Sequence, residues 1–204
     1  MSCDLEYLHE KLPDDAVIVM CGLPATGKST IAKKLAKKKG YKLLSSDILR
    51  IELLKGEDIF DNKIASDISK RLMVYKTMFK EAFRYAKSGK GVILDATFIT
   101  QRLRKKAASI AYGLKKSFII IETICTREVA LDRIKKRREG QRYESNAITE
   151  EAYINNLKMF EPVNIKQIAE KFAGLSIWYF SIKTDKEYSI IEERHECRAF
   201  KEEN

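Results

Sequence analysis

Apolar residues along this chain fall into short unbroken runs, separated by longer stretches in which they recur every three or four positions. The runs Ala16–Cys21, Tyr41–Ser45, Val92–Asp95, Phe118–Cys125 and Ser176–Ile182 have the length of strands, and all but Tyr41–Ser45 carry β-branched residues. Between them, residues 28–39, about 100–112 and about 128–138 carry a helical pattern. A longer one over about 61–88 places Ile64, Ile68, Leu72, Tyr75, Phe79, Phe83 and Ala86 on one face, and we read those aromatics as core. Gly40 and the pair Gly89 and Gly91 stand where helices end. Strands that are apolar throughout, alternating with helices, predict an α/β fold of three layers around a parallel five-stranded sheet buried on both faces.

The flanking stretches are less regular. Leu5–Leu12 is a short amphipathic piece closed by Pro13-Asp14-Asp15, and Thr149 followed by Glu150 and Glu151 reads as a helix start. A polar connection predicts a short lid at about residues 139–147. A charged tail begins at about residue 183, no internal repeat is visible, and residues 1–204 read as one domain.

The first strand runs into Gly22-Leu23-Pro24-Ala25-Thr26-Gly27-Lys28-Ser29-Thr30, which matches G-x-x-x-x-G-K-[ST] between a strand and a helix. A polyphosphate concentrates several negative charges. Backbone N–H groups surround it only where the chain turns tightly and side chains stay clear, as Gly22 and Gly27 allow. The helix that follows points its unpaired amides and the positive end of its dipole at the same place. Residues Gly22 to Thr30 are thus the expected ATP-binding loop. Lys28 is placed to reach the β and γ phosphates and the Ser29 hydroxyl to ligate magnesium, while Thr30 reads mainly as a helix residue.

Composition narrows the setting. With 45% hydrophobic and 33% charged residues the chain has the makeup of a soluble globular protein. No apolar run is long enough to span a bilayer, and the first residues lack the pattern of a signal peptide, so the expectation is a cytoplasmic protein with no membrane partner. Cys3, Cys21, Cys125 and Cys197 form no C-x-x-C pair and read as reduced and structural, and His195 with Cys197 is too small a set for a metal site. A net charge of +10 favours anionic partners, nucleotides or nucleic acid, and is equally consistent with a solubilising surface.

Other positions narrow the chemistry. The guanine-reading N-K-x-D is absent, since Asn62-Lys63-Ile64-Ala65 lacks the acid. Ser45-Ser46-Asp47-Ile48-Leu49-Arg50 follows the second strand, where parallel sheets place their ligands. Asp47 can accept the proton of an attacking hydroxyl, and Arg50, one helical turn on, shares its face and can hold an anionic part of the acceptor. Asp47 is equally a favoured helix N-cap ahead of Ile48 and Leu49. Asp95 closes the third strand, the expected place for a carboxylate that orients magnesium. Arg133 and Arg137, four apart on one helix face, are placed to neutralise charge on a transferring phosphoryl group.

In this order and at these intervals, GLPATGKST, SSDILR, VILDAT and DRIKKRREG resemble the P-loop kinases grouped with polynucleotide 5′-hydroxyl kinases and the zeta-toxin-like ATP-binding proteins, over about residues 16–160. The resemblance implies a P-loop NTPase fold and a kinase using ATP and magnesium. It implies a general base at Asp47, an acceptor-phosphate arginine at Arg50, and a pair of lid arginines at Arg133 and Arg137. The implied acceptor is a polynucleotide 5′-hydroxyl, with a metabolite, sugar or nucleoside kinase and a non-kinase ATPase module as the alternatives. Phe98 stands where many relatives carry a polar residue, which puts the acceptor contacts of that position in question. Basic clusters at Lys33-Lys34, Lys37 to Lys39, Arg102 to Lys106 and Lys115-Lys116 offer a path for a phosphate backbone.

Overall fold

The structure, a computed structural model, describes residues 3–55, 67–139 and 149–198. In chain order the elements are α1 (Cys3–Lys11), β1 (Val17–Cys21), α2 (Lys28–Lys39), β2 (Lys42–Ser45), α3 (Ser46–Leu53), α4 (Ile68–Lys87), β3 (Val92–Asp95), α5 (Gln101–Gly113), β4 (Phe118–Ile124), α6 (Arg127–Glu139), α7 (Glu150–Met159), α8 (Ile165–Lys171), β5 (Ile177–Lys183) and β6 (Ser189–Glu196).

The strands form a six-stranded sheet in the order β2-β3-β1-β4-β5-β6. Strands β1 to β5 are parallel, with Val17 opposite Val92 on one side and Phe118 on the other. The alternation of burial along β1 explains its unbroken apolar run. Val17, Val19 and Cys21 face a layer built from α4, α5 and α8, whereas Ile18 and Met20 face a layer built from α1 and α2. Both faces are dry, so no polar position interrupts the strand.

The sixth strand corrects the expected five. Residues 189–196 of the charged tail pair antiparallel with β5, setting Tyr179 opposite Arg194, with an irregularity at Ser181/Ile182. Only Ile190 and Ile191 mark this strand in the sequence. At the sheet edge most of its side chains face water, and charges there are compatible with pairing through the backbone. Within the tail, His195 stacks on Trp178 at 4.2 Å, and among the described residues no cluster has the makeup of a metal site.

Other boundaries shift for local reasons. The long helix starts at Ile68, where the Asp67 carboxylate accepts from the Ser69 and Lys70 N–H groups; the expected start at about 61 and the lid positions 140–147 lie outside the described residues. Helix α8, unread in the sequence, is only seven residues long and buries Ile165, Ile168 and Ala169. Thr149 caps α7 as its sequence predicts, accepting from Ala152 N at 3.1 Å.

Candidate active site

Strand β1 lies between β3 and β4, so the loop leaving its C-terminal end opens at the point where successive connections diverge, the crevice in which parallel sheets bind ligands. Gly22 has φ 130°, and a Cβ there would overlap the Thr123 carbonyl oxygen. Gly27 has φ 92° and caps α2, and Ala25 between them is also left-handed at φ 62°. The turn is therefore specified by backbone conformation.

A set of tertiary bonds holds the loop. The hydroxyls of Thr26 and Thr123 meet at 2.7 Å, the Thr184 hydroxyl donates to the Thr26 carbonyl at 2.8 Å, and Gly22 N donates to the Thr97 carbonyl at 3.2 Å. Arg133 reaches the loop from α6, donating through Nη1 to the Ala25 carbonyl at 3.2 Å and through Nη2 to the Thr184 carbonyl. Its guanidinium thus lies against the back of the loop. Arg137, one turn later, lines the cleft in front of it.

That cleft brings together most of the residues singled out from sequence. Pro24, Ala25 and Gly27 to Thr30 form one wall, Asp47 and Arg50 of α3 a second, and Asp95 with Thr97 the floor. Leu23 supplies a carbonyl that accepts from Lys28 Nζ at 2.6 Å, and Gly22 and Thr26 sit behind as hinge and tether. Helix α4 adds Arg71 and Tyr75, and α7 adds Ala152 and Asn156; the sequence marked Tyr75 as core and none of the four as a site residue. No motif signals them, because they reach the cleft only through the packing of distant helices.

Helix α3 settles the two readings of Asp47 as a cap or a cleft residue. Ser45 is the N-cap, its hydroxyl accepting from Ile48 N, and Asp47 lies in the first turn with its carboxylate in the cleft. Burial pushes the Asp47 carboxyl up to about 6, the Asp95 charge adds to the rise, and Lys28, Arg50 and Arg137 oppose it. Burial likewise raises Asp95, against a hydrogen bond from Ser29 and the charge of Lys28. The Lys28 ammonium is pressed down to about 8 by burial, with Asp95 holding it up. Two carboxylates and a lysine with pKa values drawn toward neutrality in one cleft are the usual mark of a functional site.

The donor set suits magnesium. Ser29 and Asp95 are hard oxygen ligands already in hydrogen-bond contact, and a magnesium held together with a nucleotide needs only one or two protein ligands. Arg50 is unusual in another way. Its Nη1 is buried with no hydrogen-bond partner, and burial depresses its pKa with Arg71 adding to the fall and Asp47 resisting it.

Phe98 makes no wall of the cleft. Its side chain is fully buried, packed edge-on against Tyr75 and Phe79 at 5.6 and 6.2 Å, so it belongs to the core and Thr97 beside it faces the cleft. Its backbone, at φ 43°, turns its carbonyl toward Arg104 Nε. Arg104 is a correction. Counted in sequence among surface charges, it is fully buried, while Lys39 and Lys116 of the neighbouring basic clusters pair with Asp14 and Asp15.

Comparison with known proteins bears on the fold and the family. Over 125 residues the chain is 30% identical to an uncharacterized protein of Mycobacterium tuberculosis, covering 58% of this chain and 25% of that one, so the chain spans about a quarter of the length of the first curated relatives it matches. It is 31% identical over 104 residues to a cytidylate kinase of Sulfurisphaera tokodaii, covering 51% of this chain and 57% of the kinase. Among solved structures, a gluconokinase from Sinorhizobium meliloti superimposes with a TM-score of 0.57 at 16% identity, covering 86% of each chain, a likeness of fold. A putative kinase from Chloroflexus aurantiacus shares the mostly parallel arrangement with a TM-score of 0.57 at 19% identity, covering 85% of this chain and 90% of that one, again a likeness of fold. Residues 17–162 match the family described as an AAA domain, and with most of its length inside that match this chain belongs to that family.

Proposed function

We propose that this protein is an ATP-dependent phosphotransferase that moves the γ-phosphoryl group to a hydroxyl acceptor. The observation that carries the reading is Asp47. A carboxylate raised to about 6 shares a cleft with the phosphate-loop lysine and Asp95, so a base that is ionised at neutral pH faces the place where a γ-phosphate would end. The loop amides and Lys28 bind and orient the polyphosphate. Asp47 takes the proton of the acceptor hydroxyl as it attacks in line, and Arg137 stabilises charge on the transferring group. Arg133 holds the loop from behind, contributing to the same charge field through the loop it braces. Ser29 and Asp95 would hold magnesium, which supplies further neutralisation of the polyphosphate.

For the acceptor we propose a polynucleotide 5′-hydroxyl, supported by the Asp47/Arg50 pair and by exposed lysines 33, 34, 37 and 38 on α2. A second reading, a small anionic metabolite or nucleotide, is favoured by the similarity to proteins described as a gluconokinase and a cytidylate kinase. Incubation of the chain with labelled ATP, magnesium and a panel of oligonucleotides, nucleotides, sugars and sugar acids tests both. Lys28→Ala and Asp47→Ala should each abolish transfer with the fold intact. Undiminished phosphorylation by the Asp47 variant would remove the base from the mechanism.

A further inference from the structure

Arg50 and Arg71 come from different helices and line the same cleft. Arg50 sits one turn beyond Asp47 on α3, and Arg71 lies in the first turns of α4, four residues before Tyr75 on the same face. Neither guanidinium forms an ion pair with a carboxylate among the described residues, and Arg50 Nη1 is buried without a hydrogen-bond partner. Leaving a charged donor so placed is expensive unless an anion takes it up when the site fills. The Tyr75 hydroxyl, hydrogen-bonded to Thr97, is already committed and does not fill that role. Of the carboxylates in the cleft, Asp95 is bonded by Ser29 and faces Lys28, and Asp47 lies within charge–charge reach of Arg50 without taking a hydrogen bond from its Nη1.

We infer that Arg71 joins Arg50 in a subsite for an anionic group of the acceptor, a phosphate or carboxylate a few bonds from the reacting hydroxyl, and that Arg71 sets the preference for charged over neutral acceptors. The inference rests on the phosphotransfer reading above and sharpens it. The cleft selects by the charge beside the hydroxyl, whether that charge belongs to a nucleic-acid backbone or to a small acid. Two guanidiniums offer paired N–H donors to an oxyanion, a geometry that a lysine in place of Arg71 copies only as a point charge.

The test uses the full chain with MgATP and two matched pairs of acceptors. Thymidine 3′-phosphate against thymidine reads a phosphate, and gluconate against sorbitol reads a carboxylate. The expected result is a preference for the charged member of one pair by about tenfold or more in kcat/KM, the ratio that one charge-assisted hydrogen bond supplies. Arg71→Gln should remove most of that preference by raising the acceptor KM while the KM for ATP moves little, and Arg71→Lys should restore part of it. Equal use of charged and neutral members by the native chain, or an undiminished preference in Arg71→Gln, would overturn the inference.

Calorimetric titration of the ADP-bound chain with the same four compounds separates the subsite from the transfer reaction. Arg71-dependent binding of a charged member without transfer to any acceptor would uphold the subsite and remove the kinase reading. Transfer to neutral acceptors alone would do the reverse. Absence of both charged-member binding and transfer would overturn the subsite.

Discussion

Arg104 donates from Nη2 to the carbonyl of Glu161 at 2.6 Å, tying α5 to the segment that follows α7. The same guanidinium bonds to the carbonyls of Phe98, Ile99 and Pro162 and to Gln101 Oε1. The Glu161 carboxylate in turn accepts from Gln101 N at 2.6 Å. A buried cation is satisfied here by carbonyl dipoles, with no ion pair to Arg104 among the described residues. It joins the loop beneath the cleft, through Phe98 and Ile99, to the end of the helix that contributes Ala152 and Asn156.

Replacing Arg104 by Met keeps the volume and strands several buried carbonyls at once. We expect a loss of roughly 3 kcal/mol or more, the penalty for more than one unsatisfied buried acceptor. Arg104→Lys should lose less, because an ammonium reaches some of those oxygens. Urea unfolding of the two variants beside the native chain measures the difference, and equal stability of Met and Arg would refute the brace.

Asp47 should act against stability at neutral pH. Its folded-state carboxyl, near 6, lies above the 3.8 of a free aspartate side chain, so between those values the folded chain binds more protons than the unfolded one. Stability from this group is therefore greatest below about pH 4 and falls as pH rises through 6. Asp47→Asn should raise stability at pH 7 by roughly 2 kcal/mol, the scale set by 1.36 kcal/mol per pKa unit after allowance for partial exposure, and should abolish transfer. If Asp47 is the base, kcat/KM of the native chain should climb as pH rises through about 6, the limb on which that carboxyl loses its proton. Melting curves across pH and a pH–rate profile check the two effects separately.

The conformation of the loop was legible in the sequence because it is local. Glycines at positive φ, a lysine and a serine at fixed spacing, and an apolar strand before them lie within a dozen residues. Asp47, Arg50 and Asp95 could be named because each ends or follows a strand of a parallel sheet. Arg71, Thr184 and the role of Arg104 could not, since each depends on which distant helix or strand packs beside it. The edge strand β6 was missed for a different reason: with its side chains mostly in water it lacks the hydrophobic pattern from which strands are read.

Arg133 gives the clearest division between bracing and charge stabilisation. With its donors on the Ala25 and Thr184 carbonyls and the Thr184 hydroxyl, Arg133→Gln should loosen the loop, raising the KM for ATP and lowering the melting temperature, with a smaller effect on kcat. Arg137→Gln should do the opposite, cutting kcat about a hundredfold, as loss of a charge-stabilising donor does, with little change in melting. Steady-state kinetics and thermal melts on both variants decide it; a kcat loss in Arg133→Gln as large as in Arg137→Gln would put Arg133 among the groups that stabilise the transition state.

Salt separates a polymeric acceptor from a small one. Arg104 is buried and Lys39 and Lys116 are paired, so a phosphate backbone would have to rely on other exposed cations, among them lysines 34, 37 and 38 on α2. Helix α2 contains no acidic residue, and its lysines four apart repel one another, which an anionic partner would relieve. If an oligonucleotide lies along them, the acceptor KM should rise steeply and linearly on a log–log plot against salt, with a slope near −0.7 in log affinity per phosphate neutralised on a single strand. Changing Lys34, Lys37 and Lys38 to Gln should flatten that slope by up to about two units. The same triple variant should phosphorylate a mononucleoside 3′-phosphate as the native chain does, because those lysines do not line the cleft. An oligonucleotide KM that ignores salt, or a slope unchanged in the triple variant, would take the polymer off α2 and leave the small anionic acceptor as the reading.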